Sequence, residues 1–130
     1  MPTISLDAAS QIADATLAKG RDAGMMPLTV AVLDSGGHMV AFKREDGSGI
    51  LRPEIAFGKA WGAIGMGISS RLLRDRLADR PTFIGALSTA SGGRLIPVPG
   101  GVLVRDDNGA VMGAVGVSGD TSDKDEAAAI

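Results

Sequence analysis

Apolar residues recur at three- and four-residue spacing through Leu6, Ala9, Ile12, Ala13, Thr16 and Leu17, the period of one buried helical face. Ser5 stands where an N-cap belongs, and Asp7 falls in the first turn, where the helix dipole favours an anion. Gly24 and Pro27 close this helix. The pattern then changes to the continuous run Leu28-Thr29-Val30-Ala31-Val32-Leu33-Asp34, β-branched enough for a well-buried strand. Ser35-Gly36-Gly37 supplies the positive-φ residues of a hairpin turn, and His38 to Arg44 reads as the return strand. After the loop Glu45-Asp46-Gly47-Ser48-Gly49, a second helix is expected from near Pro53 to about Ile68. Ser69 or Ser70 caps a short helix, Arg71 to Ala78, that Pro81 stops, and Thr82 to Ala90 forms another.

Past Gly92-Gly93 the chain becomes extended again. Arg94-Leu95-Ile96 is a short piece that Pro97 and Pro99 confine to an edge or an irregular strand. Val102 to Asp106 and Val111 to Val117 are strands joined by the hairpin signal Asp107-Asn108-Gly109. Gly113 and Gly116 inside the second of them mark a bulge or a close backbone approach. Ser122 and Asp125 read as a capping box for a last helix, Ser122 to Ile130. Two hairpins around a helical segment, with helices at both ends, predict an α+β fold: one antiparallel sheet of about five strands flanked by helices. At 130 residues, without an internal repeat or linker, the chain reads as a single domain, 1–130.

Composition sharpens this picture at one element. The 19 glycines are about twice the usual share of ~7 %, and several fall in the second helix, with Ala56, Gly58, Ala60, Gly62, Ala63, Gly65 and Gly67. An interior glycine costs about 1 kcal/mol relative to alanine, so a helix this thin implies that something packs very close to it. The absence of cysteine excludes disulfides, thiolate metal sites and a cysteine nucleophile. A single histidine excludes multi-histidine metal cages. The net charge of −2 and four aromatic residues leave neither a basic footprint nor a stacking platform for nucleic acid. The start of the chain lacks the basic and apolar regions of an export signal. Ile55 to Ile68 is too short, and too charged at Lys59, to cross a bilayer. The expectation is a soluble cytoplasmic protein, with processing of a longer precursor left open.

Three blocks, Asp34-Ser35-Gly36-Gly37-His38, Phe42-Lys43-Arg44-Glu45-Asp46-Gly47 and Ala56-Phe57-Gly58-Lys59-Ala60, resemble the GlcG/HbpS-like family. That family includes the C-terminal domain of PduO-type cobalamin adenosyltransferases. Pro99-Gly100-Gly101-Val102, Gly113 to Gly119 and Asp125-Glu126-Ala127 complete the resemblance over nearly the whole chain. It implies a profilin-like fold, homo-oligomers, and haem or tetrapyrrole binding in several members. Haem-binding members often carry a threonine between the second and third helices. Here that junction reads Gly67-Ile68-Ser69-Ser70, so the resemblance makes Ser69 a candidate cofactor contact.

His38 is the one imidazole available to haem iron; the plainer and favoured reading is a polar residue finishing a hairpin. Met25, Met26, Met39, Met66 and Met112 are the other iron-ligating possibilities, and for Met25-Met26 soft core filler is the favoured reading. Lys59, inside the thin helix, must reach water or meet an anion. With Arg44, Lys43 and Arg52 it could form a carboxylate-binding cluster; the plainer alternative is salt bridging to Asp34, Asp46 or Glu54. Ser118 lacks the strand–helix elbow of a serine hydrolase. Asp120, Asp123, Asp125 and Glu126 lack calcium-loop spacing, and the glycine runs match no nucleotide motif. The leading expectation is a small oligomeric protein binding an anionic ligand or haem, with Arg44 and Lys59 at the propionates, Ser69 nearby and His38 at the iron. The alternative is a cofactor-free isomerase, tautomerase or lyase acting on a small carboxylate, with Lys59 and Arg44 catalytic.

Overall fold

A computed structural model describes residues 3–130; Met1 and Pro2, the first residues of the stretch expected to carry no export signal, lie outside that range. The elements in chain order are α1 (Leu6–Asp22), β1 (Thr29–Asp34), β2 (Met39–Arg44), α2 (Arg52–Met66), α3 (Ser70–Leu77), α4 (Pro81–Ala90), β3 (Gly101–Arg105), β4 (Val111–Ser118) and α5 (Ser122–Ala129). The strands form one antiparallel sheet in the order β2-β1-β4-β3. The two expected hairpins therefore lie side by side, joined through β1 and β4.

Alternation along the strands separates two faces. Val30, Val32, Val115 and Val117 share one core with Ala9 and Ala13 of α1 and Ala128 of α5. Leu33 and Ala114 face the other way, onto Ala60 and Ala63 of α2. On that second face α2 lies over β4, β1 and β3, which leaves the edge strand β2 beside the helix rather than beneath it.

The thin helix owes its composition to two neighbours. A Cβ on Gly116 of β4 would run into the Ala56 carbonyl, so helix and sheet meet almost backbone to backbone. On its outer side, a Cβ on Gly58 would collide with Ile96 and the Arg94 carbonyl, and one on Gly62 would press on Leu95. The Arg94–Ile96 piece thus packs on α2, with the Ile96 N–H donating to the Gly58 carbonyl at 3.4 Å. The sheet accordingly has four strands where about five were expected.

Other differences are local. Between Val104 and Arg105 of β3 the register with β4 slips, leaving Met112 of β4 as the extra residue, while Gly113 and Gly116 serve close approach. Thr121, not Ser122, caps α5, accepting from the Lys124 N–H. Asp125 is thereby released from the expected capping box and turns inward. Ser5 and Ser69 cap α1 and α3, and Gly67, at φ 73°, ends α2 in the left-handed region.

Candidate functional site

The expected site residues are distributed over three places. His38 sits at the β1–β2 turn. The Asp34 carboxylate accepts from the N–H groups of Gly36 at 3.0 Å and His38 at 2.9 Å, which fixes the turn. The His38 backbone donor is the main reason that the Asp34 carboxyl titrates below its ordinary value, the Gly36 N–H and the imidazole adding to it. The imidazole Nδ1 lies 3.3 Å from the same carboxylate, and the His38 side chain is 82 % exposed. A carboxylate thus lies beside Nδ1 while Nε2 is left open, the side on which a metal-ligating histidine usually carries its carboxylate partner.

Arg44 stands at the opposite end of β2, about 20 Å away at the usual rise per strand residue. Its guanidinium donates to the Ser48 carbonyl at 2.8 Å. Arg44, Thr29 and Ser118 are cross-strand partners in one row over β2, β1 and β4. Thr29 Oγ1 and Ser48 Oγ lie 2.7 Å apart, and Ser118 Oγ accepts from Arg52, the first residue of α2, at 3.0 Å. The three hydroxyl residues are buried. Arg44 and Arg52 are thus brought to the same end of the sheet, as the carboxylate-cluster reading required.

Lys59 does not join them. It is 2 % exposed and faces the sheet, its ammonium donating to the Val117 carbonyl at 2.8 Å and to Asp125 Oδ2 at 3.2 Å. A side chain on Gly100 would displace it. The second Asp125 oxygen accepts from the Asp120 N–H at 2.9 Å. Burial pushes the Lys59 amine below its ordinary value, and the Asp125 charge works against that. With its donors turned to internal partners, Lys59 offers no approach for the propionate or catalytic roles expected of it. Nor is its partner one of the plainer candidates, Asp34, Asp46 or Glu54. Asp125 had signalled its role only indirectly: a lysine among alanines and glycines needs a buried counter-charge.

Ser69 caps α3 beyond the C-terminal end of α2, its hydroxyl accepting from the Leu72 N–H at 3.3 Å, so the chain does not gather Ser69, His38 and Arg44 at one place. The acids of α5 are also engaged. Arg71 pairs with Asp123 and, at 2.8 Å, with Glu126, and both partners raise its pKa, Glu126 the more.

Between the His38 and arginine ends runs an apolar strip. Met39 and Phe42 of β2 lie opposite Leu33 and Ala31 of β1 and are 48 % and 40 % exposed. Phe57, Trp61 and Ile64 of α2 are half-buried against the Leu33 cluster. Trp61 borders the hairpin turn: a Cβ on Gly37 would lie 3.4 Å from its Nε1. The sequence offered Met39 as an iron-ligating possibility and Phe42 and Phe57 within the family blocks, but nothing in it brought these residues together.

A four-stranded antiparallel sheet with helices on both faces, an exposed histidine beside Asp34 and an open apolar strip define a small α+β domain. The family model described as haem degrading protein HbpS-like matches residues 4–130, and the chain belongs to that family. It is 32 % identical over 123 residues to an uncharacterized 15.0 kDa protein from the dhaT-dhaS intergenic region of Citrobacter freundii, covering 95 % of this chain and 84 % of that one. Among solved structures it is similar to Klebsiella pneumoniae protein ORFY, with a TM-score of 0.89, 29 % identity and coverage of 99 % and 87 % of the two chains. It shares its fold with a PduOC:haem complex at a TM-score of 0.86 and 24 % identity, covering 98 % and 90 %. Among the described residues no helix is long and apolar enough to cross a membrane.

Proposed function

We propose that this chain is a haem- or tetrapyrrole-binding protein that works as a homo-oligomer, holding its ligand along the apolar strip between β2 and α2. The observation that carries the reading is the His38–Asp34 pair: an imidazole with one nitrogen on a carboxylate and the other open to solvent. The donor set fits haem. Nε2 of His38 suits iron, Met39, Phe42 and Trp61 suit the flat macrocycle, and Arg44 suits a propionate. Haem, when bound, supplies a redox-active iron. The chain's own part is to hold the imidazole in one orientation through Asp34 and to cover the macrocycle with apolar side chains.

The strip lies open on one protomer, and a second copy facing it would keep water from the ligand, which supports assembly. The opposite face of the sheet is less suited. Its cleft, between α1, α5 and β3, encloses about 280 Å³, at the lower edge of the ~300–1,000 Å³ usual for small-molecule sites.

Titration of haemin into the protein is expected to produce a shifted Soret band, and His38→Ala is expected to change that spectrum while the far-ultraviolet circular dichroism stays native. An unshifted band in the unsubstituted protein removes haem from the reading, and an unchanged spectrum in His38→Ala removes the histidine.

A further inference from the structure

Two carboxylates close to this end of the sheet, Glu45 and Asp120, are committed elsewhere. Glu45 accepts from the Leu28 N–H at 2.7 Å through one oxygen and pairs with Arg21 through the other. Asp120 accepts from the N–H groups of Met26 at 3.0 Å and Thr121 at 2.8 Å. Those two donors, Met26 first, hold its carboxyl below the ordinary value, with Lys124 and Arg52 adding smaller effects. Among the described residues neither Arg44 nor Arg52 has a carboxylate within salt-bridge distance.

Both guanidiniums are nevertheless held in place. Arg44 spends one N–H of its five on the Ser48 carbonyl and Arg52 one on the buried Ser118 hydroxyl, and among the described residues their other side-chain donors have no hydrogen-bond partner. Holding the heads in advance lowers the entropy lost when a ligand arrives. Phe42, two residues before Arg44 on the same strand face, and Leu51, the residue before Arg52, expose apolar surface alongside, Leu51 being 66 % exposed. Two fixed, unneutralised guanidiniums bordered by apolar side chains match a carboxylate carried on an apolar body.

We propose that Arg44 and Arg52 form a carboxylate-binding site at the N-terminal end of α2. A haem propionate and a free small carboxylate share the recognised chemistry. The propionate version rests on the haem reading above, and the free-carboxylate version does not.

Two titrations of the full chain test the site. In the first, haemin and haemin dimethyl ester are titrated into the unsubstituted protein, Arg44→Gln and Arg52→Gln, and read at the Soret band. A preference for haemin of about tenfold or more, as charged hydrogen bonds give, that disappears in both variants supports the site with propionate as its source. In the second, acetate is titrated and the arginine Nε–H resonances are followed. Movement of the Arg44 and Arg52 signals without any ester effect supports the site with a free carboxylate as its source. If haemin gives no Soret change at all, the haem reading fails and the acetate titration alone decides the site. If neither titration responds to Arg44 or Arg52, the site is overturned. Arg44 lies on an edge strand and is exposed, so its variant keeps the test available should Arg52→Gln fold poorly.

Discussion

The Lys59 ammonium and the Asp125 carboxylate bind α2 to α5 past Gly100, where a Cβ would meet the lysine side chain. Removing one member of such a buried pair leaves the other charge without a partner, at a cost of about 3–5 kcal/mol, whereas replacing both with apolar groups can be nearly neutral. Lys59→Met is therefore expected to lower stability by about that amount in urea denaturation, and Lys59→Met with Asp125→Leu to recover much of it. A single variant as stable as the parent would show that the pair contributes little. The existence of a buried lysine was legible from the small residues around it; its partner was not, because a one-residue change of cap, Thr121 for Ser122, decides which way Asp125 points. At the chain surface, Asp34 and Asp120 both titrate below 3.8. Groups with depressed folded values contribute stability that is complete above the unfolded value and lost as pH falls through the folded one. The melting temperature is expected to drop on acidification below pH 3.8. Asp34→Asn keeps an acceptor for the two turn N–H groups but cannot titrate, so it should flatten part of that drop; an unaltered acid profile would count against Asp34.

Among the elements, α2 carries the strongest contrast between intrinsic preference and packing. Glycine to alanine inside a helix gains about 1 kcal/mol where nothing opposes the new methyl. At Gly65 the nearest atoms to an added Cβ are ordinary contacts with the Trp61 ring, at 3.8 and 3.9 Å. Gly58 has no such room, because Ile96 and the Arg94 carbonyl occupy it. Gly65→Ala is expected to raise the melting temperature and Gly58→Ala to lower it, so two identical substitutions seven residues apart should have opposite signs in thermal melts. Equal signs would mean that the Arg94–Ile96 segment yields to the methyl. The helix spans to within a residue or two, both hairpins and the burial of β1 could be read from periodicity and turn chemistry. The missing fifth strand could not, since Arg94–Ile96 is extended like a strand but finds its neighbour in a glycine-lined helix face, a tertiary choice that local pattern does not encode.

On the scale of the whole molecule, the sheet presents two unequal faces. α1 and α5 cover one, and α2 covers the other only as far as β1, so the edge strand β2 carries Met39 and Phe42 into the open between His38 at one end and Arg44 at the other. Spacing along β2 was legible, and with it the separation of these two residues; that Lys59 and Ser69 fall outside this strip depends on how α2 is rotated and where it ends, which only packing decides. A ligand bound to the native state alone stabilises it by about 2.7 kcal/mol at a hundredfold excess over its dissociation constant, and the added protection from hydrogen exchange is largest where the ligand closes local opening. If haemin occupies the strip, amides of β2 and of the first turns of α2 should slow most, while β3 and the C-terminal part of α5, which line the 280 Å³ cleft, should follow only the global gain. Exchange measured by mass spectrometry with and without haemin decides between the faces. Protection concentrated at β3 and α5 would move the ligand to the cleft and detach it from His38 and Arg44.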